Sequence, residues 1–261
     1  MNKSVGFYMN MVALKTLLRK EIIRFTRIWS QTLLPPAITM SLYFIIFGKF
    51  IGSQLHHIDG YSYIQYIVPG LVMMSIMTNA YANTASSFFL TKFNKSIEEM
   101  LVSPMNSVII LLGFMLGGAL RGVIVGMIVV LVALLFTHVP VYHPFIILST
   151  ALLASMVFSL GGLVNAIYAK RFDDISFIPT FVLTPLTYLG GVFYSIKQLP
   201  SFWQFVSLCN PVLAIVDTFR YGLLGISDLN IYVGFGVIGI LFAGVFFWAW
   251  LLLQKGVGIK V

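Results

Sequence analysis

The sequence predicts an all-α membrane protein of six transmembrane helices, and three observations carry that prediction. Only 9% of the 261 residues are charged and 59% are hydrophobic, with a mean hydropathy of +0.96; a soluble domain carries roughly 25% charged residues. Uncharged runs cover 28–48, 60–91, 100–120, 122–169, 175–196, 198–216 and 229–254, and apolar runs of about eighteen residues or more read as spans. These runs do not alternate apolar with polar residues, as the strands of a membrane β-barrel would.

The net charge of +8 would suit nucleic acid, but the basic residues stand at the ends of spans, where anionic headgroups and membrane topology account for them. No nucleic-acid partner is expected. A lone Cys209 forms no internal disulfide,. The first thirty or so residues lack a compact apolar core followed by a small-residue cleavage site, so no cleavable leader is expected.

Taken in chain order, residues 9–28 form the first element. At helical spacing Met11, Leu14, Leu18, Ile22 and Phe25 share one arc, while Lys15, Arg19, Lys20, Arg24 and Arg27 occupy the other,. Such a helix lies in the interface with its basic face among headgroups. Trp29 marks the boundary and Pro35-Pro36 open the first span. The spans are expected at 31–50, 63–86, 107–136, 145–168, 175–194 and 230–253. "THVPVYHP" at 137–144 divides one long uncharged run into the third and fourth,.

With the N-terminus inside, the cytoplasmic side receives Lys3, Lys15, Arg19, Lys20, Arg24, Arg27, Lys92, Lys95, Lys170, Arg171, Lys255 and Lys260. The outer side receives Lys49, Lys197 and Arg220, and Arg121 lies within a span. Twelve cations against three fix the orientation, with both termini cytoplasmic. Residues 198–216 are long enough for another span, but Pro200 and Asn210-Pro211 interrupt them,. A seventh span would also move Lys255 and Lys260 outside. A re-entrant hairpin of short outer helices over 197–224 is therefore expected.

The stretch "FNKSIEEMLVSPMN" at 93–106 falls in a cytoplasmic loop. Ser96 as N-cap with Glu99 three residues on fits a capping box, and Glu98 and Glu99 suit the positive end of a helix dipole. Ile97, Met100 and Leu101 share a face and Pro104 ends the helix. This face over 96–102 either packs on the chain's own loops and lipid headgroups or docks on a separate cytoplasmic subunit. No phosphate loop, H-E-x-x-H motif or G-x-S-x-G elbow occurs in the chain,. A membrane body with a docking helix and no engine suggests transport driven by another polypeptide.

At this point the chain resembles the permease (transmembrane) subunit of a type-2 ABC transporter, exporter type. The residues carrying the resemblance are the amphipathic N-terminal helix, the cytoplasmic island and "YLGGVFYSIKQLPSFWQFVSLCNPVLAIVDTFRYGLLG" at 188–225. That last stretch holds the aromatic-Gly-Gly segment from Leu189 to Tyr194, Leu199-Pro200, Asn210-Pro211, and Asp217 with Arg220. Val212 stands where the family often has leucine. The resemblance covers nearly the whole chain and implies a single type-2 ABC transmembrane domain over 1–261. It also implies a homodimer in a bacterial inner membrane, working with two copies of a cytoplasmic ABC ATPase. In that frame 96–102 is the coupling helix, with Ser96, Ile97, Glu98, Glu99, Met100 and Leu101 docking on the ATPase. The N-terminal helix is the elbow, carrying Lys15, Arg19, Arg24 and Arg27, and 197–224 are the outer re-entrant helices. No cofactor belongs to this chain: ATP and Mg would be bound by the partner. Substrates of that group are polysaccharides, lipids and drugs. The uncharged, aromatic-rich spans favour a lipid, a lipid-linked glycan or an amphipathic drug. The first and fifth spans line the dimer interface and path in that family, which singles out Tyr43, Phe44, Phe47, Phe181 and Tyr188.

Further residues stand out on their own chemistry. Ser75, Asn79, Asn83 and Ser86 form a polar stripe along the second span, either glue between helices or a translocation surface. Gly113, Gly117, Gly118, Gly122 and Gly126 permit close helix approach, preferentially within one subunit. Arg121 beside them is expected to snorkel to the cytoplasmic side. Asp217 and Arg220, three apart, are expected as an outer structural ion pair. Lys170, Arg171, Asp173 and Asp174 form a second cytoplasmic island, read as a solvated loop. His56, His57, His138 and His143 fall in outer loops at spacings that match no ligand pattern, so no metal site is assigned. Pro179 and Pro185 mark the fifth span as kinked. Two rival functions remain: an intramembrane enzyme using the outer histidines with Asp59 or Asp217, and a gradient-driven carrier. The carrier lacks mid-span acids and inverted repeats.

Overall fold

The computed structural model describes residues 3–52, 57–102 and 105–258. Helix α1 (Lys3–Arg27) runs through short breaks into α2 (Trp29–Thr32) and α3 (Leu34–Tyr43), then into a π-helical stretch, Phe44–Ile51. Pro35 and Pro36 sit in the first turn of α3, where a missing N–H breaks no helical bond,. A two-stranded hairpin follows, β1 (His57–Ile58) against β2 (Tyr61–Ser62). Its turn is Asp59-Gly60, both with positive φ (49° and 87°). Asp-Gly supplies that backbone cheaply and is a strong hairpin signal.

Helix α4 (Tyr63–Phe93) is 31 residues long and forms the axis of the molecule, packed between α6 (Ser107–Leu134) and α7 (Pro144–Tyr168). The short α5 (Ser96–Val102) connects α4 to α6. Asn106 caps α6, its Oδ1 accepting from Val108 N at 3.0 Å,. The proline-rich 137–144 segment lies between α6 and α7, as its turn chemistry predicts. Next come α8 (Phe172–Ile178), a π-helical turn at Pro179–Leu183 and α9 (Thr184–Tyr188), a rod whose regular helix is interrupted at Pro179. A 3-10 turn at Ile196–Gln198 leads to α10 (Ser201–Leu208) and α11 (Pro211–Leu224), bent 86° to each other. Helix α12 (Ile231–Lys255) closes the fold and ends on Gly256 in the left-handed region (φ 67°),.

Among the described residues four helical stretches are long and apolar enough to cross a membrane: Trp29–Gly48, Ser107–Leu134, Pro144–Tyr168 and Ile231–Lys255. The bent α10–α11 pair makes five if counted as one. Two expected spans, 63–86 and 175–194, do not meet that standard. The first lies in α4, whose polar stripe dilutes its apolar character despite ample length. The second is cut short because the helix ends at Tyr188 and gives way to the Gly190-Gly191 turn.

Among the described residues the core divides into two large clusters along α4 and a small third one of Tyr81, Ala85 and Leu183. One surrounds Tyr66, Leu71, Met73, Val125 and Phe219. The other, at the opposite end, holds Leu17, Phe88, Ile97, Phe114, Ile167 and Leu252. The glycines of α6 form two rows rather than one. A Cβ on Gly113 or Gly117 would collide with Leu17 or Glu21 of α1, whereas one on Gly118, Gly122 or Gly126 would meet Thr84, Ile76 and Ala80 of α4. α6 is therefore gripped on two sides by neighbours within the same chain.

Candidate functional site

The cytoplasm-facing end expected from the charges is built where α1, α4, α5 and α6 converge. Ile97 of α5 is buried in the same cluster as Leu17, Phe88, Phe89 and Ile110, and Met100 packs against it. Glu98 and Glu99 point outward, exposed. Ile97 thus covers the chain's own core, the first of the two alternatives for this face, while Met100 stays half-buried at its edge. The capping box is corrected. Ser96 is the first helical residue, and its Oγ donates to the Thr91 carbonyl at 3.2 Å. Lys95 precedes it with φ 58°, a backbone non-glycine residues seldom adopt. Leu101's side chain and Pro104 lie outside the described residues. Beside α5, the N-terminal part of α1 leaves a groove of 470 Å³ lined by Met9, Val12, Glu99, Met100 and Met105.

One turn deeper is a buried ionic cluster. The stripe of α1 that faces the bundle is Leu17, Glu21 and Phe25, rotated from the expected arc, so Met11 is exposed and an acid lies inside. Glu21 is fully buried over Gly117. Its Oε1 accepts from Ser87 Oγ at 2.5 Å and its Oε2 faces Arg24 Nη2 at 3.3 Å. Arg24 Nη2 also donates to the carbonyl of Asn83 at 2.9 Å and to its Oδ1 at 2.7 Å. Arg121 donates to Asn83 Oδ1 (3.4 Å), Asn79 Oδ1 (3.2 Å) and the Thr32 carbonyl (3.4 Å). Arg24 and Arg121 therefore leave the positions expected of them: neither is spread among headgroups, because the two carboxamides of α4 hold both. Lys15, Arg19 and Arg27 remain exposed, as an interfacial face requires.

This geometry decides the polar stripe in favour of glue. Asn79 also donates to Ser75 O at 3.0 Å, Ser86 bonds its own helix, and Asn83 has no exposed surface. Sequence reasoning missed Glu21. Its signal was one acid in a basic helix, three residues before an arginine, with the glycine pair Gly113 and Gly117 elsewhere to receive the stripe.

Among the aromatic candidates, Tyr43, Phe47 and Tyr188 come together around Phe193. Ring centroids are 5.9 Å (Tyr43–Phe193), 4.9 Å (Phe47–Phe193) and 5.9 Å (Tyr188–Phe193). Phe181 is exposed and packs on Phe177 at 4.9 Å. Phe44 is not part of this surface: it is fully buried against Phe136 at 5.8 Å, on the same face as the buried Met40 one helical turn earlier.

At the other end of α4, Asp217 and Arg220 pair at 3.7 Å, both buried. Asp217 also accepts from Ser227 Oγ (2.5 Å), Asp228 N (3.0 Å) and Leu229 N (2.9 Å). Arg220 donates to the Gly191 carbonyl and lies 4.3 Å from the Tyr66 ring centroid,. Asn210 caps α11 through Val212 N at 3.0 Å while donating to Leu186 O at 2.6 Å. The most specific stretch of the sequence is thus a set of ties joining α9, the glycine turn and α11. His143 stacks on Tyr221 at 5.0 Å. Among the described residues no three His, Cys, Asp or Glu side chains converge as a metal site would need; His56 and the side chain of His57 lie outside them.

Comparison with known proteins agrees with this architecture. Residues 12–224 match the family model described as ABC-2 type transporter. The chain is 51% identical to the inner membrane transport permease YadH of Escherichia coli K12 over 249 residues, 95% of this chain and 97% of that protein. It is 25% identical to nodulation protein J of Rhizobium leguminosarum bv. viciae over 215 residues, 82% of this chain and 83% of that one. Nodulation protein J of Rhizobium meliloti strain 1021 is 21% identical over 215 residues, 82% of either chain.

Proposed function

The chain belongs to the ABC-2 type transporter family, and from that premise we infer that two copies of this inner-membrane transport permease subunit form an ATP-driven exporter with two copies of a cytoplasmic ATPase. The chain itself does no covalent chemistry; ATP and Mg bind to the partner. Six spans cross the membrane, with α4 and the α8–α9 rod supplying the two that fall short in apolarity or length, and α10–α11 re-enter from the outside. The 86° bend between α10 and α11 supports that arrangement, since a straight span leaves no place for such an angle.

The observation that carries the coupling reading is the two-sided build of α5. Glu98 and Glu99 are offered outward while Ile97 is locked into α1, α4 and α6. A partner that grips the acidic face moves the helix, and the helix moves the junction beneath it. Closure of two ATPases on ATP then shifts the paired coupling helices, and a path opens between the permeases. Tyr43, Phe47, Tyr188 and Phe181 supply an aromatic surface for that path, suited to a lipid, a lipid-linked glycan or an amphipathic drug.

The test is a census of partners. The tagged chain is extracted from its membrane in mild detergent, and what co-purifies in stoichiometric amounts is identified. An ATPase at one copy per chain, lost on Glu98→Lys with Glu99→Lys, is the expected result. A folded chain that brings down no ATPase refutes the reading.

A further inference from the structure

Outside the junction, a second feature at the same end of the bundle is used by nothing described so far. A cavity of 430 Å³ opens between the C-terminal ends of α4 and α7 and the start of α5. It is lined by Lys92, Lys95, Lys170 and Glu98, with Phe93 and Tyr168 among its other walls. Three cations and one acid give this lining a net charge of +2. Lys92 Nζ donates to the carbonyls of Ile167 (2.6 Å) and Ala169 (2.8 Å), at the exposed end of α7, which leaves one of its three N–H groups. Burial and the proximity of Lys170 hold the Lys92 ammonium below its ordinary pKa, as expected of a cation without an anion beside it.

The walls are as telling as the charges. Phe93 and Tyr168 are exposed aromatics, and Phe93 packs on Phe89, a further lining residue, at 6.1 Å between ring centroids, with Phe172 beside both (5.3 Å from Phe93, 4.8 Å from Phe89). Tyr168 reaches toward Trp248 of α12 at 6.3 Å. Exposed Tyr and Trp at one level of a bundle mark the membrane–water boundary. A cationic pocket at that level, flanked by aromatics, faces lipid headgroups rather than bulk water.

We propose that the cavity bounded by Lys92, Lys95 and Lys170 binds the phosphate of an anionic phospholipid from the adjoining leaflet. The phosphate meets the three ammonium groups while the glycerol and acyl portions lie along Phe93 and Tyr168. Lys95 and Glu98 belong to the α5 segment, so an occupied site braces the same helix that the ATPase is inferred to grip. The proposal rests on the orientation inferred above only for which leaflet supplies the lipid.

The test uses the full chain, purified with whatever accompanies it, and reads lipid retention by native mass spectrometry. Delipidated protein is titrated with phosphatidylglycerol against a phosphatidylcholine background. Each lysine near a membrane surface contributes about five-fold to anionic-lipid affinity, so Lys95→Gln with Lys170→Gln should weaken retention on the order of 25-fold. Lys92 is left in place because it also ties α7. The double variant Lys15→Gln with Arg19→Gln removes two exposed cations of α1 that face headgroups without a pocket, and should weaken retention by clearly less than the cavity variant does. Equal loss in both variants would reduce the effect to a diffuse surface charge and overturn the site, as would no loss in either. Displacement of phosphatidylglycerol by equimolar sn-glycerol 3-phosphate or inorganic phosphate would transfer the site to a soluble anion. Displacement by the co-purifying ATPase would transfer the lysines to a protein contact. Because the readout is a bound lipid, it succeeds or fails independently of export.

Discussion

Glu21→Gln keeps the size of a side chain that lies fully buried over Gly117 and removes its charge. What remains around it is two arginines with only carboxamides and carbonyls as partners. The carboxylate faces Arg24 at 3.3 Å. At an effective dielectric constant near 20 that separation corresponds to about 5 kcal/mol of attraction, and breaking a buried pair typically costs about 3–5 kcal/mol. The Arg24 side chain is 24% exposed, so screening favours the lower figure, about 3 kcal/mol. In a chain of this size that is a fall in Tm of roughly 6–12 °C, readable by thermal unfolding in detergent. Arg24→Gln alone should cost a similar amount, since it leaves Glu21 without its cation. The double variant should be less damaged than the two singles summed, by about 1–3 kcal/mol, because neither charge is then stranded. Strict additivity, or a Glu21→Gln protein as stable as the parent, would refute the view that this cluster works as a charge-coupled unit.

Ile97→Ala should separate coupling from docking. The ATPase should still co-purify through Glu98 and Glu99, but ATP hydrolysis should no longer be stimulated by substrate, and the body should lose about 2–4 kcal/mol; loss of ATPase binding would contradict the inward placement of Ile97. Gly113→Leu drives a side chain into Leu17 and should displace α1, exposing its protease sites, whereas Gly244→Leu, with open space around it, should leave digestion unchanged. Asp174 accepts from the amides of Lys170 (2.8 Å) and Arg171 (2.9 Å), and those bonds hold its carboxyl below the ordinary 3.8. Its contribution is therefore full above that value and lost as pH falls through the lowered one, so amide exchange at Lys170 and Arg171 should stay slow at neutral pH and quicken only in strong acid.

Membrane class and the order of elements were readable from the sequence because each rests on local patterns: uncharged runs, the proline-rich joint at 137–144, and the breaks at Pro200 and Asn210-Pro211. The long reach of α4 and the early end of the fifth rod were less accessible. One depends on how far polar groups can be satisfied by neighbours, the other on where Gly190 and Gly191 release the chain. The face of α1 was misjudged for a similar reason. Periodicity ranks residues by hydropathy, and only a glycine pair some ninety residues away makes room for Glu21. Phe44 does not join the exposed aromatics because it stands one helical turn after Met40, on the face of the first span that turns into the core. Tyr43, Phe47 and Tyr188, singled out by resemblance as candidates for the path, gather around Phe193, a residue beyond the rod in the glycine turn that no local pattern marks. By contrast, the Asp217–Arg220 pair was legible from spacing alone, whereas its further bonds to 227–229 were not.

The partners of Arg24 and Thr32 also set a timetable for biogenesis. Arg24 is held by a residue 59 positions later in the chain, and Thr32 by one 89 positions later. At about 5–20 residues per second on the ribosome, the guanidinium of Arg121 emerges roughly 4–18 s after the carbonyl it will bind. For the first part of that interval the first helix lacks even Asn83 and Ser87 of α4, and for the rest of it α6 is still missing. The helix must wait at the membrane surface, with its own basic residues as mooring, until the third span arrives to draw it in. The glycines at 113 and 117 are then the last pieces of the docking site to be synthesised before Arg121 itself, so the N-terminal helix finds its seat late, after two spans have already been committed to the bilayer.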